Sequence, residues 1–265
     1  MIPPRPKLLT LVGAVRLTER DIELLSFLAE HRLALPTHAA VLLGTSTTAA
    51  TTRLNRLAEG GLVNRRDPFP GEPRWYQMTG KGLAHIGNPL PTPGVNLSEY
   101  KHDVGVAWLW LAARGGTFGP LAEIVGARRL RSLDGSRERG AEPAGVRLGG
   151  FGPHGRERLH HPDLVLRTAD GRRVALELEL TPKSRTRLEK ILAGYAADPR
   201  FAGVVYLVES RAVARSVQAA ARRLGVSDLV HLQRVRSTVS RSASKPALTA
   251  ERAPGSRTRM PEAVR

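Results

Sequence analysis

The chain has 265 residues, no cysteine and a formal net charge of +17. That length holds one large domain or two small ones with ample core, and the absence of cysteine excludes a disulfide framework or a thiolate zinc site. No run of about 18 apolar residues occurs and the opening MIPPRPKLLT lacks a signal-peptide core, so a cytoplasmic protein with no membrane partner is expected.

The positive charge points to a polyanionic partner, most simply nucleic acid. It is unevenly placed. Residues 18–82 carry eight Lys and Arg against seven Asp and Glu, whereas residues 233–265 carry eight against two. That last stretch has no apolar period, so a disordered basic tail is expected there. Such a tail adds salt-sensitive affinity for DNA, or serves as a solubilising end or a partner tether. Residues 1–17, with three basic and no acidic side chains, form a shorter basic arm.

From Thr18, LTERDIELLSFLAEHR predicts a helix with Thr18 as N-cap, acidic residues in its first turn and an apolar stripe of Ile22, Leu25, Leu28 and Ala29. A short helix follows from Leu35-Pro36 to Leu43, stopped by Gly44. A third begins at Ser46 and ends at Gly60-Gly61, with Ala50, Leu54, Leu57 and Ala58 facing inward. Its outer face carries Thr48, Thr51, Thr52, Asn55 and Arg56, flanked by Arg53. Small hydroxyls with Asn and Arg suit a major groove. LVNRRDPFPGEPRWYQMT then reads as two short strands around a Pro/Gly turn, a wing on which Arg65, Arg66, Arg74 and Tyr76 are placed to touch DNA, with Trp75 as core. GKGLAHI closes the unit. Three helices and a hairpin over residues 18–86 predict a winged helix-turn-helix, with use in dimerisation or protein contact as the alternative.

Residues 87–96, with alternating prolines, predict a semi-rigid linker. NLSEYKHDVGVAWLWLAARGG then predicts a helix with Val104, Ala107, Trp108, Leu111 and Ala112 on its apolar face. His102 stands in its first turns, as a surface or partly packed histidine or as a neighbour of the carboxylates described next. LAEIVGARRLR reads as a strand, and Leu133 to His161 as a long loop. Gly150-Phe-Gly-Pro-His-Gly155 spells GxGxxG but lacks the strand and helix that a phosphate turn needs. His154, His160 and His161 lack the ligand spacing of a zinc site.

The segment HHPDLVLRTADGRRVALELELTPK predicts two strands joined by a turn. Asp163 stands at the start of the first. Glu177 and Glu179 share one face of the second, about 7 Å apart, opposite Val174, Leu176, Leu178 and Leu180. A half-exposed strand with solvated carboxylates has this pattern, and so does a hard-cation site beside a phosphate. TPKSRTRLEKILAGYAADP predicts a helix with Thr181 as N-cap, Pro182 at its first position and Leu188, Ile191, Leu192 and Tyr195 buried. GVVYLVE predicts a strand and RAVARSVQAAARRLG a final helix.

Pro162-Asp163 followed by Glu177-x-Glu179 resembles the core of the PD-(D/E)XK nuclease-like fold, with Glu179 where that pattern has lysine and Lys183 as a substitute cation. The resemblance implies that Asp163 and Glu177 hold Mg²⁺ or Mn²⁺, and that Asp163, Glu177, Glu179 and Lys183 form the catalytic set. With both halves placed, the chain resembles the replication-relaxation family of bacterial plasmid and mobile-element proteins over about residues 15–210. LTERDIELLSFLAEHR, TTRLNRLAEGGLVNRR and WYQMTGKG carry the likeness in the first half. The His102 helix, PDLVL, LELELTPKSRTRLEKILAGY and VVYLVES carry it in the second.

The expected fold class is thus α/β and α+β: an N-terminal winged helix-turn-helix, then a restriction-endonuclease-like αβββαβ domain over residues 97–232, with the tail from 233. The expected function is duplex DNA binding in plasmid or mobile-element replication, relaxation or regulation, with the protein associated with nucleoid or plasmid and a homodimer as one possible state. A Mg²⁺- or Mn²⁺-dependent nickase or endonuclease is the alternative, and a non-catalytic dimerisation or recruitment scaffold the third.

Overall fold

The computed structural model describes residues 16–67, 70, 72–138 and 140–235. The basic arm up to residue 15 and the tail from residue 236 lie outside the described residues. The chain divides into two compact units, with the boundary between Val95 and Asn96, inside the expected linker.

In the first unit, α1 (Glu19–Glu30), α2 (Pro36–Leu43) and α3 (Thr47–Glu59) precede strands β1 (Val63–Arg66) and β2 (Trp75–Met78) and helix α4 (Gly80–His85). Thr18 caps α1 as expected, and Asp21 completes the capping box. The core of α1 is Leu24, Leu25, Phe27, Leu28 and Ala29, whereas Ile22 is exposed, so the inward stripe is rotated from the one read off the sequence. Leu35, at the N-cap of α2, has no side-chain acceptor; instead its amide donates to Nδ1 of buried His38 at 3.1 Å. Burial pushes the His38 pKa well down, which keeps that nitrogen an acceptor. Ser46 caps α3, and Ala50, Leu54 and Leu57 bury its inner face.

β1 and β2 pair antiparallel with Val63 opposite Met78, and Ala34 adds a bridge to Tyr76 on the other side of β2. Trp75 is core, as expected. The segment after α4 is not a bare spacer. Leu90 and Pro93 are buried, and the Gln77 amide donates to the Pro93 carbonyl.

The second unit opens with α5 (Tyr100–Arg114), followed by β3 (Leu121–Gly126) and α6 (Ala127–Gly135). β4 (Val146–Phe151) and β5 (Glu157–His160) form a separate hairpin. β6 (Leu164–Thr168), β7 (Arg173–Glu179), α7 (Arg185–Ala197), β8 (Phe201–Val208), α8 (Arg211–Leu224) and β9 (Val230–Arg234) complete it. The main sheet runs β3-β6-β7-β8-β9, antiparallel from β3 to β7 and parallel from β7 to β9. Within it, β7 and β8 are buried on both faces, as crossover helices require. Leu164, Leu166, Val174, Leu176 and Leu178 join Leu109 and Ala113 of α5 on one side. Val165, Ala175, Val204 and Tyr206 join α7 and α8 on the other. At Gly105 a Cβ would stand 2.4 Å from Leu178 Cδ2, so a larger residue there would make the Leu178 side chain shift.

Four expectations need correction. The strand read through LAEIVGARRLR ends at Gly126, and ARRLR continues as α6, since Ala, Arg and Leu favour helix and only Leu130 is buried. The long loop from Leu133 to His161 contains the β4–β5 hairpin, whose alternation is interrupted by Gly149 and Gly150. Ser184, not Thr181, caps α7: its Oγ accepts the Arg187 amide at 3.4 Å. The folded unit continues past residue 232, because β9 extends to Arg234 and Val235 is buried.

Candidate functional site

α3 presents Thr48, Thr52 and Arg56 exposed, with Thr51, Arg53 and Asn55 half-buried. The expected outer face is therefore real, but several of its groups already have partners. Thr51 and Thr52 donate their hydroxyls to the carbonyls of Thr47 and Thr48, at 2.7 and 3.1 Å. The Tyr76 hydroxyl, reaching across from β2, donates to Asn55 Oδ1 at 2.7 Å.

Asp21, with no exposed surface, lies behind the two arginines. Arg53 Nη1 donates to its Oδ1 at 2.6 Å and Arg56 Nη2 to its Oδ2 at 2.5 Å. The backbone and hydroxyl of Thr18 donate to the same Oδ2 at 2.8 and 2.7 Å. Burial alone would raise the Asp21 pKa, but the Thr18 and arginine donors outweigh it and the net shift is downward. The arginines keep 27% and 45% of their side-chain surface, so a buried anion holds two outward cations. On the wing, Arg65 and Arg66 are exposed, and Arg74 Nε pairs with Asp67 at 2.8 Å.

The second unit gathers its carboxylates where β6 begins and β7 ends. Leu164 pairs with Leu176, which sets Asp163 beside Glu177 across the ladder. Asp163 Oδ2 accepts the Leu178 amide at 2.8 Å and stands 3.2 Å from His102 Nε2. Burial disfavours charge on that imidazole, yet Asp163 overcomes it and lifts the His102 pKa to about 9. His102 is thus a partner of the cluster, not a mere surface residue. Glu177 Oε1 accepts from the Tyr195 hydroxyl and lies 2.6 Å from His160 Nε2. Glu179 pairs with Lys183, while burial still pushes the Glu179 pKa up. Both glutamates are 5% exposed or less, so they are not the solvated carboxylates of a half-exposed strand.

Two tyrosines complete the cluster. Tyr195 was legible as a buried helix position, but nothing in the sequence marked it as a donor to Glu177. Tyr206 pairs with Glu177 in the β7–β8 register, and its buried hydroxyl has no hydrogen-bond partner among the described residues. Burial, reinforced by Glu177, pushes both phenols well above their usual range. His160, which lacks the spacing of a zinc ligand, touches Glu177 instead. His161 is different: its Nε2 lies 2.8 Å from Asp134, which also accepts the amides of Ala144 and Gly145. That contact fastens the hairpin to α6.

Do these oxygens fit a divalent cation? Mg²⁺ asks for several oxygen ligands in near-octahedral order, unopposed by other positive charge. Here His102, His160 with Tyr195, and Lys183 already engage the three carboxylates. Among the described residues, no group of three or more His, Cys, Asp and Glu side chains is placed to hold a metal ion. As arranged, the expected Asp163–Glu177 pair and its neighbours do not fit the ion. No helix among the described residues is long and apolar enough to cross a membrane.

No family model matches the chain. No curated protein matches it either. Among solved structures, the chain is similar to NadR in complex with 4-hydroxyphenylacetate, at 26% identity over 26% of this chain and 52% of that one, TM-score 0.24. It is also similar to a mutant of Lactococcus lactis ZitR in complex with DNA, at 18% identity over 43% of this chain and 70% of that one, TM-score 0.26. A third, PigF with SAH, gives 11% identity over 82% and 57%, TM-score 0.20. At these scores none of the likenesses carries an argument about fold or function.

Proposed function

We propose that the chain is a duplex DNA-binding protein whose winged helix selects the site. The observation that carries this is the outer face of α3, where Thr48, Thr52 and Arg56 are exposed and Arg53 and Arg56 are set in place by Asp21. Arg65 and Arg66 on β1 add exposed charge for backbone contact, and the chain's +17 balance favours a polyanion. Role and setting follow the sequence resemblance: replication, relaxation or regulation of a plasmid or mobile element, in the cytoplasm. Binding of the full chain to duplex fragments, followed by gel shift, tests the reading. Asn55→Ala with Arg56→Ala should abolish the preference of one fragment over another. Unchanged preference would defeat it.

A second reading keeps one observation in its favour. Asp163 and Glu177 stand side by side at the end of a mixed sheet, and the helix-strand-strand-strand-helix-strand thread expected for a nuclease-like core is contained in the observed order. A Mg²⁺- or Mn²⁺-dependent nickase on these residues requires His102, His160 and Tyr195 to release their carboxylates. In the first reading that cluster is a structural tie, and the second unit supplies backbone contacts to DNA.

A further inference from the structure

Behind the exposed face of α3 lies a layer of groups that fixes which hydrogen-bonding functions remain available. Asp21 accepts from Arg53 on one oxygen and from Arg56 on the other. Each guanidinium has five N–H donors, so most stay available after that contact. The two arginines are three residues apart on one helical face, where like charges repel. A single buried carboxylate between them removes that repulsion and restricts both side chains.

Asn55 is limited in the complementary way. Reading adenine takes an acceptor and a donor together, which the Asn amide supplies when both ends are open. Its Oδ1 accepts the Tyr76 hydroxyl, which takes one of its two lone pairs and ties the amide to β2. Thr51 and Thr52 give their hydroxyl protons to Thr47 and Thr48 and are left as acceptors.

We propose that α3 reads a G·C pair, with Arg56 as the base-contacting residue and Asp21 and Tyr76 as positioning residues. This rests on the duplex-binding reading above. Guanine offers two acceptors, O6 and N7, at its major-groove edge, and a guanidinium matches both at once. Cytosine offers an N4 donor, which suits a threonine oxygen left as acceptor. Adenine's mixed edge needs an amide turned squarely onto it, and Tyr76 restrains the Asn55 amide from turning.

The test is selection of bound duplexes from a random pool by the full chain. Anisotropy titration then compares the selected sequence with a version carrying A·T at the preferred pair. The wild type should select G·C and bind the A·T version about tenfold more weakly or worse, the scale of one good bidentate contact. Asp21→Asn, which keeps an acceptor for the α1 cap, should bind both duplexes within about threefold of each other, with a steeper salt dependence because one negative charge is gone. Tyr76→Phe should regain tolerance for adenine, since it frees the Asn55 amide to turn. Arg56→Lys, which retains charge without the fork, should lose the preference while keeping most affinity. Thermal melts establish that each variant folds, and if Asp21→Asn does not, the other two decide. A selected site specified by A·T, or a G·C preference unchanged in the variants, overturns this inference and leaves duplex binding standing. Failure to retain any duplex overturns both.

Discussion

Asp21 in the first unit and Glu177 in the second are both carboxylates with almost no exposed surface, yet their partners differ in kind. Asp21 holds Arg53 and Arg56, which stay partly in solvent on the outer face of α3. Glu177 holds Tyr195, which is fully buried, and His160, which keeps 14% of its side-chain surface. One buried anion therefore holds cations that keep part of their surface in solvent, and the other closes a network on itself. Burying a carboxylate is costly unless donors satisfy it, so both are structural commitments. Only the first leaves functional groups facing outward. That contrast, more than the count of charged residues, underlies the proposal that the first unit recognises DNA and that the second has the residues of a metal site without the arrangement.

The largest test of the contrast is Glu177→Ala. It strands the Tyr195 hydroxyl and the His160 ring in a buried site and should cost about 3 kcal/mol in urea unfolding. A neutral or stabilising effect would mean that the carboxylates repel one another and await a cation, which would place the second unit on the same outward-facing footing as the first. Next in size is a pH effect at His102. Its pKa is raised from 6.5 to about 9 by Asp163, so its contribution is fully present below about pH 6.5 and is lost as pH rises through about 9. Unfolding free energy should fall by about 2–3 kcal/mol between pH 6 and pH 10, and the fall should shrink in His102→Gln. An equal fall in that variant would remove the His102–Asp163 pair from the network.

Smaller again is Asp21→Asn, expected to cost about 1 kcal/mol, because the arginines it releases still reach water. A loss as large as that of Glu177→Ala would make Asp21 a core tie of the same kind as Glu177. Smallest in stability are Arg65→Ala and Arg66→Ala, which should leave the melting temperature unchanged. Each should reduce the slope of log affinity against log salt by about one, if it neutralises a phosphate. A stability loss with no change in slope would assign these side chains to the fold.

Much of this was legible along the chain, and the reasons are local. Thr18, Ser46 and Gly44 bound their helices by capping chemistry that involves only near neighbours, and the inward set of α3 follows from helical spacing. Strand alternation and a short turn mark Asp163, Glu177 and Glu179 as a group, and the nuclease-like resemblance adds Lys183. What stayed hidden was long-range. Asp21 reaches Arg53 and Arg56 across 32 and 35 residues, and no periodicity links α1 to α3. His160 and Tyr195 find Glu177 from different elements, which made a histidine look like a stray zinc ligand and a tyrosine like ordinary core. The β4–β5 hairpin leaves little trace because β5 spans four residues and Gly149 and Gly150 interrupt β4, and α6 because an arginine-rich end of a strand reads the same in either conformation.

The most direct measurement puts the full chain on a supercoiled plasmid, with and without Mg²⁺ or Mn²⁺, beside Glu177→Ala, and runs gels before and after removal of protein. The account predicts retarded DNA that returns intact once the protein is stripped, with metal making no difference, and the same from any Glu177→Ala protein that thermal melts show to be folded. Nicked or linear product that requires metal and disappears in a folded Glu177→Ala would contradict it, and would make the carboxylate cluster the working centre of the molecule.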